Sequence, residues 1–259
     1  MKVGFFDSGV GGLSVWREAV RLMPDLETVY IADNANCPYG GRPAEFVRER
    51  SREMVRRLLA RGCGMVVVAC NTATAAAIDD LRREFPIPFV GMEPAVKPAA
   101  LASRSHVVGV LATPGTLQGR LFRATSARVS ANAKIVVRRV SGWVEAVERG
   151  DIAPTGETLE LVRREISPLL DDGADSLVLG CTHFPFLREA IEKVAGPGVA
   201  LYDPAPAVAR RIQSLLVSAS VNTNLSPQKT GTGPVFSREF YATGDTAPLE
   251  RMRRLIALE

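Results

Sequence analysis

Short apolar runs alternate along this chain with longer segments in which apolar residues recur every three or four positions. The short runs are rich in Val, Ile, Leu and Phe and predict β-strands, whereas the longer segments predict amphipathic helices. The predicted strands cover residues 3–6, 28–31, 65–69, 89–91, 107–111, 134–137, 176–179 and 200–202, with one more short strand and turn within 239–245. The predicted helices cover residues 13–23, 46–61, 75–85, 117–127, 158–170, 187–194 and 248–256, with a short helical stretch at 143–149. Such alternation is typical of parallel sheets covered by helices, in which ligands bind beyond the carboxyl ends of the strands.

Two of the predicted strands end in the same way. One reaches Cys70 and the other reaches Cys181, and each cysteine is followed by small hydroxyl or amide residues. Because these strands lie far apart in the chain, each belongs to its own series of βα units. We therefore expect an α/β fold of two similar βα-repeat domains, whose parallel-type sheets face each other across a central active-site cleft.

Two proline-containing crossovers, at residues 93–98 and near 203–206, predict the domain boundaries. The first domain would comprise residues 1–95 together with 206–259, and the second would comprise residues 96–205. The segment 218–236 is rich in Ser, Asn, Thr, Gly and Pro and has no apolar periodicity, so it predicts a surface loop.

The composition excludes several classes of protein. With 46% hydrophobic and 23% charged residues among 259, the chain has the balance of a folded globular protein. Its 32 basic residues, set against 28 acidic ones, fall mostly at helical spacings, so a nucleic acid is not expected as a partner. The sequence contains no apolar run of the length that a membrane span needs and begins directly with a strand-like run, so we expect a cytoplasmic protein without a membrane partner.

The cysteines and histidines narrow the chemistry further. Four cysteines without C-x-x-C spacing predict reduced thiols, and with only two histidines we expect no metal. Two matched thiols can place an acid and a base on opposite faces of one carbon, which is the requirement of racemisation or epimerisation. Two alternatives remain: both cysteines are packing residues, or they form a redox dithiol, which needs Cα atoms within about 7 Å.

Neighbouring residues add candidate chemistry. Asp7 opens a glycine-rich turn between a predicted strand and helix, where backbone N–H groups can meet an anion. His183 lies two positions after Cys181, close enough to stabilise a thiolate or to exchange a proton with it. Glu148 falls in the short helical stretch, where it is either a further candidate for a functional residue or simply a solvated carboxylate on a helix face. The turn-rich segment 33–42 could form a wall of the site or an ordinary loop.

Several ordered motifs together resemble glutamate racemase, a cofactor-independent amino-acid racemase that supplies D-glutamate for bacterial peptidoglycan. The resemblance runs nearly end to end, through DSGVGGLSV at 7–15, PYG at 38–40, ACNTAT at 69–74, EPA at 93–95, ATPGT at 112–116, GCTHFP at 180–185 and TGD at 243–245. It implies glutamate as the small-molecule substrate, a homodimer and no cofactor. Ala32, Asn36 and Cys37 depart from the pattern common in the family, which bears on the shape of the entrance, on substrate affinity and on subunit contacts.

The resemblance also implies residue roles. Cys70 would take the α-proton from D-glutamate and Cys181 from L-glutamate, with Asp7 assisting on the Cys70 side and Glu148 and His183 on the other. The residues implied to hold the substrate are Ser8, Pro38, Tyr39, Gly40, Asn71, Thr72, Thr113, Thr116 and Thr182. Racemisation of a related acidic amino acid such as aspartate, or a binding or regulatory role on the same fold, are the alternatives. A pyridoxal phosphate mechanism needs a lysine that forms a Schiff base with the cofactor. None of the five lysines lies in a motif like those around the cysteines, and Lys97 is the nearest candidate, so this mechanism is not expected.

Overall fold

The computed structural model describes residues 1–223 and 236–256. Its strands are β1 (Lys2–Asp7), β2 (Thr28–Ala32), β3 (Cys63–Val68), β4 (Phe89–Gly91), β5 (Val107–Ala112), β6 (Lys134–Arg139), β7 (Ser176–Gly180), β8 (Ala200–Tyr202) and β9 (Arg238–Ala242). Its helices are α1 (Leu13–Leu22), α2 (Ala44–Leu59), α3 (Asn71–Glu84), α4 (Val96–Ala102), α5 (Pro114–Gln118), α6 (Arg120–Val129), α7 (Trp143–Arg149), α8 (Gly156–Asp171), α9 (Arg188–Ala195), α10 (Ala205–Thr223) and α11 (Ala247–Leu255).

The strands form two sheets in which every neighbouring pair is parallel. The first sheet has the order β4-β3-β1-β2-β9, and the second has the order β6-β5-β7-β8. The α/β class with two parallel sheets is thereby confirmed. The strand β9 comes from the end of the chain and joins the first sheet beside β2. This return is compatible with the domain boundaries placed at residues 95 and 206, which stay a prediction.

The central strands explain why the apolar runs were easy to recognise. Strands β2 and β7 are buried along their whole length, and β1 is buried from Val3 onward. A parallel strand covered by helices on both faces carries apolar side chains continuously instead of alternating with polar ones. The residue that follows such a strand therefore lies at the carboxyl end of the sheet, where parallel α/β sheets bind ligands.

The two sheets share one continuous apolar core. One cluster of buried side chains includes Phe5 and Trp16 from the first half of the chain and Leu177 from the second. Trp143, at the start of α7, packs edge-on against Phe184, with 4.8 Å between ring centroids. Because α7 carries Glu148 and Phe184 follows His183, this aromatic contact holds two site-bearing segments together.

The helices near the middle of the chain differ from the sequence prediction in two places. The single helix expected over residues 117–127 is two helices, α5 and α6, which meet at Gly119. Gly119 has an extended ψ of 139°, and a Cβ on it would lie 2.7 Å from the Cβ of Ala75. The chain breaks there so that it can approach α3 closely. Part of the expected crossover at residues 93–98 forms the start of α4.

The predicted loop over residues 218–236 is wrong at its beginning. Residues 218–223 belong to α10, which starts at Ala205, and the rest of the segment up to residue 235 lies outside the described residues. The helix packs against α1 and buries Val208 and Ile212. Packing of this apolar face stabilises the helix, which therefore continues into a segment whose Ser, Asn and Thr residues have low helix propensity.

Within residues 1–223 and 236–256, no helix combines the length and apolar character needed to cross a membrane.

Candidate active site

The carboxyl ends of the two sheets meet around a narrow cavity of about 20 Å³. This is about the room that one water molecule needs. The cavity is lined by residues of both sheets: Asp7, Ser8, Pro38, Tyr39, Gly40, Cys70, Asn71, Thr72, Thr113, Val144, Cys181, Thr182 and His183. The residues that the sequence singled out therefore line the place where parallel α/β sheets are expected to bind a ligand.

Cys70 lies between β3 and α3. It is the residue that precedes the first turn of α3, in extended conformation, and only 5% of it is exposed. Its burial, together with the nearby Asp7 carboxylate, raises the pKa of the Cys70 thiol well above its ordinary value. Backbone N–H groups of Ala73 and Ser8 oppose this shift without cancelling it. Cys70 is therefore a protonated thiol in this arrangement.

Cys181 follows β7 and belongs to a chain of interacting side chains. Its sulfur lies 3.7 Å from Nδ1 of His183, and Nε2 of His183 lies 2.7 Å from Oε1 of Glu148. The same Glu148 oxygen accepts a hydrogen bond of 2.8 Å from the backbone N–H of Val10. A short 3-10 turn, Phe184–Leu187, follows this segment and leads into α9.

The imidazole of His183 is positively charged in this arrangement. Burial disfavours the charge, but interactions with Cys181, Cys37 and Glu148 outweigh it and raise the pKa of His183 well above its ordinary value. Burial likewise opposes the charge of Glu148, yet its hydrogen bond with His183 holds the pKa of this carboxyl below its usual range. Since both nitrogens of an imidazolium donate, the Cys181 sulfur is an acceptor.

Asp7 links the two halves of the site from the end of β1. Its Oδ2 accepts a hydrogen bond of 2.7 Å from the Thr182 hydroxyl, and its Oδ1 lies 3.0 Å from the Ser8 hydroxyl. Asp7 is fully buried, and burial raises the pKa of its carboxyl, although His183, Thr182 and Ser8 act in the opposite direction. A carboxyl group whose pKa is raised keeps its proton to a higher pH than an ordinary carboxyl, which suits it to donate and take back a proton.

Polar groups without a partner face the cavity on the Asn71 side. Both the oxygen and the nitrogen of the Asn71 amide are buried and have no hydrogen-bond partner, although only 4% of the residue is exposed. Next to it, the hydroxyls of Thr72 and Thr113 lie 3.0 Å apart, and Thr113 lies 3.0 Å from Thr116. A buried amide left unpaired costs free energy, so this side of the cavity is built to bind a polar ligand.

A second polar network holds the loop that carries Pro38, Tyr39 and Gly40. Its centre is the carboxylate of Asp33, which receives two hydrogen bonds of 2.9 Å from Arg50 and one from the Tyr39 hydroxyl. Burial opposes the charge, but Arg50, Tyr39 and further donors hold the pKa of Asp33 below its usual range. This paired carboxylate fixes the position of Tyr39, which forms a wall of the cavity.

Glycines let the two halves of the site come close together. A Cβ on Gly9 would lie 1.8 Å from Oε1 of Glu148, and one on Gly11 would lie 2.3 Å from Nδ1 of His183. From the sequence alone, these glycines suggested only a flexible turn for an anion. In the structure they make room for Glu148 and His183, which come from the other half of the chain.

One group of side chains has the donor types of a metal site. A sulfur, a carboxylate oxygen and an imidazole nitrogen of Cys37, Glu148 and His183 lie within 4.8 Å of one another. However, the 2.7 Å between His183 and Glu148 is a hydrogen-bond distance. Two ligands of one zinc ion, each bonded at about 2.0–2.1 Å in a tetrahedral arrangement, stand farther apart. The group is therefore better described as a hydrogen-bonded cluster.

The structure brings almost all of the predicted residues together. Glu148 and Thr116 do not line the cavity but contact residues that do, His183 and Thr113 respectively. Val144 lines the cavity and was missed, because an apolar residue in a short apolar helix carries no distinguishing signal. Cys37 was noted only as a departure, yet its sulfur lies 3.7 Å from Glu148 Oε1. The roles of all these residues stay predictions.

The fold and the relatives of this chain are those of an amino-acid racemase, an isomerase. A family model described as Asp/Glu/Hydantoin racemase matches residues 13–212, and the chain belongs to this family. The chain is 45% identical over 257 residues to glutamate racemase from Herpetosiphon aurantiacus, covering 99% of this chain and 98% of that protein. It is 50% identical over 214 residues to glutamate racemase from Methylococcus capsulatus, covering 83% and 79% of the two chains.

A solved structure gives the same result at the level of the fold. Escherichia coli glutamate racemase, in complex with L-glutamate and the activator UDP-MurNAc-ala, superposes with a TM-score of 0.82 at 34% identity. The match covers 98% of this chain and 93% of the other. The resemblance to glutamate racemase stated from the sequence motifs is thereby confirmed, as is the enzyme class.

Proposed function

We propose that this protein is a glutamate racemase that interconverts L- and D-glutamate by proton transfer between two cysteines and the α-carbon. The observation that carries the proposal is the placement of two free thiols, Cys70 and Cys181, on one cavity but at the ends of different sheets. Thiols delivered from two sheets can address opposite faces of one carbon.

The raised pKa of Cys70 suits it to act as the thiol when the reaction starts from the L-isomer. Cys181, whose sulfur lies beside His183, would then be the base that takes the proton. In the L-to-D direction, the bond between Cα and hydrogen breaks and its proton goes to the Cys181 sulfur. The electron pair left on Cα then takes the proton of the Cys70 thiol from the opposite face. The D-to-L direction reverses these transfers, so each direction needs one thiol and one thiolate.

Neighbouring groups would return each cysteine to the state that the next turnover needs. On the Cys181 side, His183 can accept or donate the sulfur's proton while Glu148 stabilises the imidazolium. On the Cys70 side, the raised pKa of Asp7 makes its carboxyl a suitable proton carrier. These two sets of helpers differ in charge, so the two bases are tuned separately instead of being equivalent.

Substrate binding would use polar groups in and beside the cavity. The unpaired amide of Asn71 and the hydroxyls of Thr72, Thr113, Thr116 and Thr182 offer donors and acceptors for the amino and carboxylate groups of an amino acid. Ser8 and the Pro38, Tyr39 and Gly40 loop would complete the contacts. Fixed donors around the carboxylate stabilise the developing carbanion, and a water-excluding cavity strengthens their effect.

The closed cavity implies a movement during turnover. The cavity is narrow, so the cleft between residues 1–95 with 206–259 and residues 96–205 would open for glutamate to enter. Closing it afterwards would exclude water from the carbanion.

The wider biological role follows from the product. D-glutamate would supply peptidoglycan synthesis, a role supported by the E. coli relative, whose structure contains a MurNAc-bearing activator. The proposed location is the cytoplasm, where thiols such as these stay reduced. The proposed assembly is a homodimer, and neither a cofactor nor a metal is part of the proposal.

Incubation of the protein with each isomer in deuterated water tests the assignment. We expect L- and D-glutamate to interconvert and to acquire deuterium at Cα, and we expect aspartate to react much more slowly. Racemisation of aspartate in preference to glutamate would assign the enzyme to the related substrate. Absence of α-exchange with any acidic amino acid would exclude the racemase function and leave a binding or regulatory role on the same fold.

A further inference from the structure

The C-terminal helix α11 reaches across the molecule to the helix that carries Glu148. It follows β9, which pairs with β2 in the first sheet, and its Leu249 and Met252 are buried in the apolar core. Helix α7, by contrast, follows β6 of the second sheet. From α11, Nη1 of Arg251 donates a hydrogen bond of 2.6 Å to the carbonyl oxygen of Arg149. The same nitrogen lies 3.5 Å from the carbonyl oxygen of Glu148.

These two carbonyls are the ones that the helix end leaves without a partner of its own. In the closing turn of α7, the N–H of Gly150 binds the carbonyl of Val147, and the N–H of Asp151 binds that of Ala146. The last carbonyls of a helix have no intrahelical donors, and they carry the negative end of its dipole. A guanidinium that donates to the carbonyls at positions 148 and 149 therefore completes this helix end and matches its charge.

The shape of the helix end also accommodates the arginine. Gly150 has a φ of +85°, a conformation that favours glycine, and a Cβ on it would lie 2.7 Å from Cδ of Arg251. The absence of a side chain at Gly150 lets the Arg251 stem pass over the helix end. The contact thus depends on a matched pair, a glycine on one half of the molecule and an arginine on the other.

The end of α7 determines where the Glu148 carboxylate lies. Oε1 of Glu148 must be within hydrogen-bond distance of both the Val10 N–H and Nε2 of His183, at 2.8 Å and 2.7 Å. Glu148 is the residue before last in α7, where helix ends fray most readily. A shift of its backbone would lengthen both contacts together.

We propose that Arg251 is a positioning residue for catalysis: by binding the carbonyls of Glu148 and Arg149, it fixes the last turn of α7 and so holds Glu148 against His183. This role rests on the proposed function, in which the pair of Glu148 and His183 controls proton transfer at Cys181. Arg251 acts through Glu148 and does not touch the cavity lining.

Two variants of the full chain and one control test the role in turnover. Arg251→Met keeps the length of the side chain but removes its donors, and we expect kcat with glutamate to fall about tenfold, as for small misplacements of reacting groups. Arg251→Lys keeps a cationic donor and should recover most of the rate. Arg254→Met changes an exposed arginine of the same helix and should leave kcat unchanged. Equal losses in Arg251→Met and Arg254→Met would overturn the proposal, because they would indicate a general effect on α11.

The titration of His183, followed by proton NMR, separates positioning from a merely structural effect. The chain has two histidines, so a His106→Asn variant assigns the His183 signal. His183 faces Glu148 from α7, Cys181 from the turn after β7, Cys37 from the loop after β2, and Asp7 from β1. Of these segments, Arg251 hydrogen-bonds to α7. We expect Arg251→Met to lower the His183 pKa by at least about half a unit and Arg251→Lys to restore it.

An unchanged His183 titration in Arg251→Met would overturn the proposal whatever the effect on rate. This readout does not depend on turnover. If the wild-type protein failed to racemise glutamate, the proposed function would fail, while the NMR comparison would still decide whether Arg251 positions Glu148.

Discussion

The hydroxyl of Thr182 donates a hydrogen bond of 2.7 Å to Oδ2 of Asp7, so the residue after one catalytic cysteine candidate holds the acidic helper of the other. Asp7 ends β1 of the first sheet, and Thr182 follows β7 of the second. The two halves of the site are therefore chemically coupled as well as adjacent. A change at either residue should alter the pH dependence of the whole reaction.

Replacing Thr182 with Val tests this coupling. The Thr182 hydroxyl lowers the pKa of Asp7 against the effect of burial, which raises it. Without the hydroxyl, the pKa of Asp7 rises further, and more of the carboxyl is protonated at any given pH. We expect the acidic limb of the pH profile of kcat to move to higher pH and the maximal rate to fall about tenfold. Thr182→Ser keeps the donor and should retain the wild-type profile. An unshifted acidic limb in Thr182→Val would contradict the coupling.

The glycines at the junction make a steric prediction. A Cβ at position 11 would lie 2.3 Å from Nδ1 of His183, so Gly11→Ala must displace either the imidazole or the turn after β1. We expect a loss of activity of about a hundredfold, the size that a misplacement of roughly 1 Å can cause. At Gly41, a Cβ would meet no heavy atom within 4 Å, so Gly41→Ala is the matched control and should remain fully active. Wild-type activity in Gly11→Ala would show that His183 need not occupy the position seen here.

A carboxylate remote from the cavity makes a prediction about stability. Asp175 accepts hydrogen bonds from the Ser103 hydroxyl at 2.6 Å and from the backbone N–H groups of Arg104 and Ser105 at 2.7 Å and 2.8 Å. Burial opposes its charge, but these donors hold its pKa well below the usual range. Stabilisation by a carboxylate with a lowered pKa is fully present above its unfolded value of 3.8 and is lost as the pH falls toward the folded pKa.

Asp175→Asn should therefore lower the free energy of unfolding by about 2 kcal/mol near neutral pH, the scale of hydrogen bonds to a charged group. Urea unfolding at about pH 7 and about pH 3 measures it, and the difference between the two proteins should shrink at the lower pH. A difference that is constant with pH would mean that the charge of Asp175 contributes nothing to stability.

The strands and the pair of cysteines could be predicted because local sequence determines them. Strands buried on both faces carry continuous apolar runs, and the carboxyl ends of parallel strands are the expected place for Cys70 and Cys181. Other features depend on distant parts of the chain. Packing against α1 extends α10 into a Ser- and Asn-containing segment, and close approach to Ala75 breaks the expected helix at Gly119.

Within the site, contacts between distant residues were the least predictable. Glu148 and His183 lie 35 positions apart, and only the family resemblance paired them, because a carboxylate in a short helix is as often solvated. The contact of Arg251 with the carbonyls at 148 and 149 joins residues more than 100 positions apart. No periodicity or motif in the sequence reports it, since it depends on how α11 returns to the second half of the molecule.

The α-hydrogen exchange of single cysteine variants tests the two-base account most directly. With Cys70→Ala, racemisation should be lost in both directions, while L-glutamate still acquires deuterium through Cys181. With Cys181→Ala, racemisation should again be lost, and the exchange should be confined to D-glutamate. Cys63→Ala, which removes a buried thiol at the start of β3, should racemise both isomers. Racemisation that persists in either active-site variant, or exchange of the same isomer by both, would contradict the assignment of one cysteine to each face.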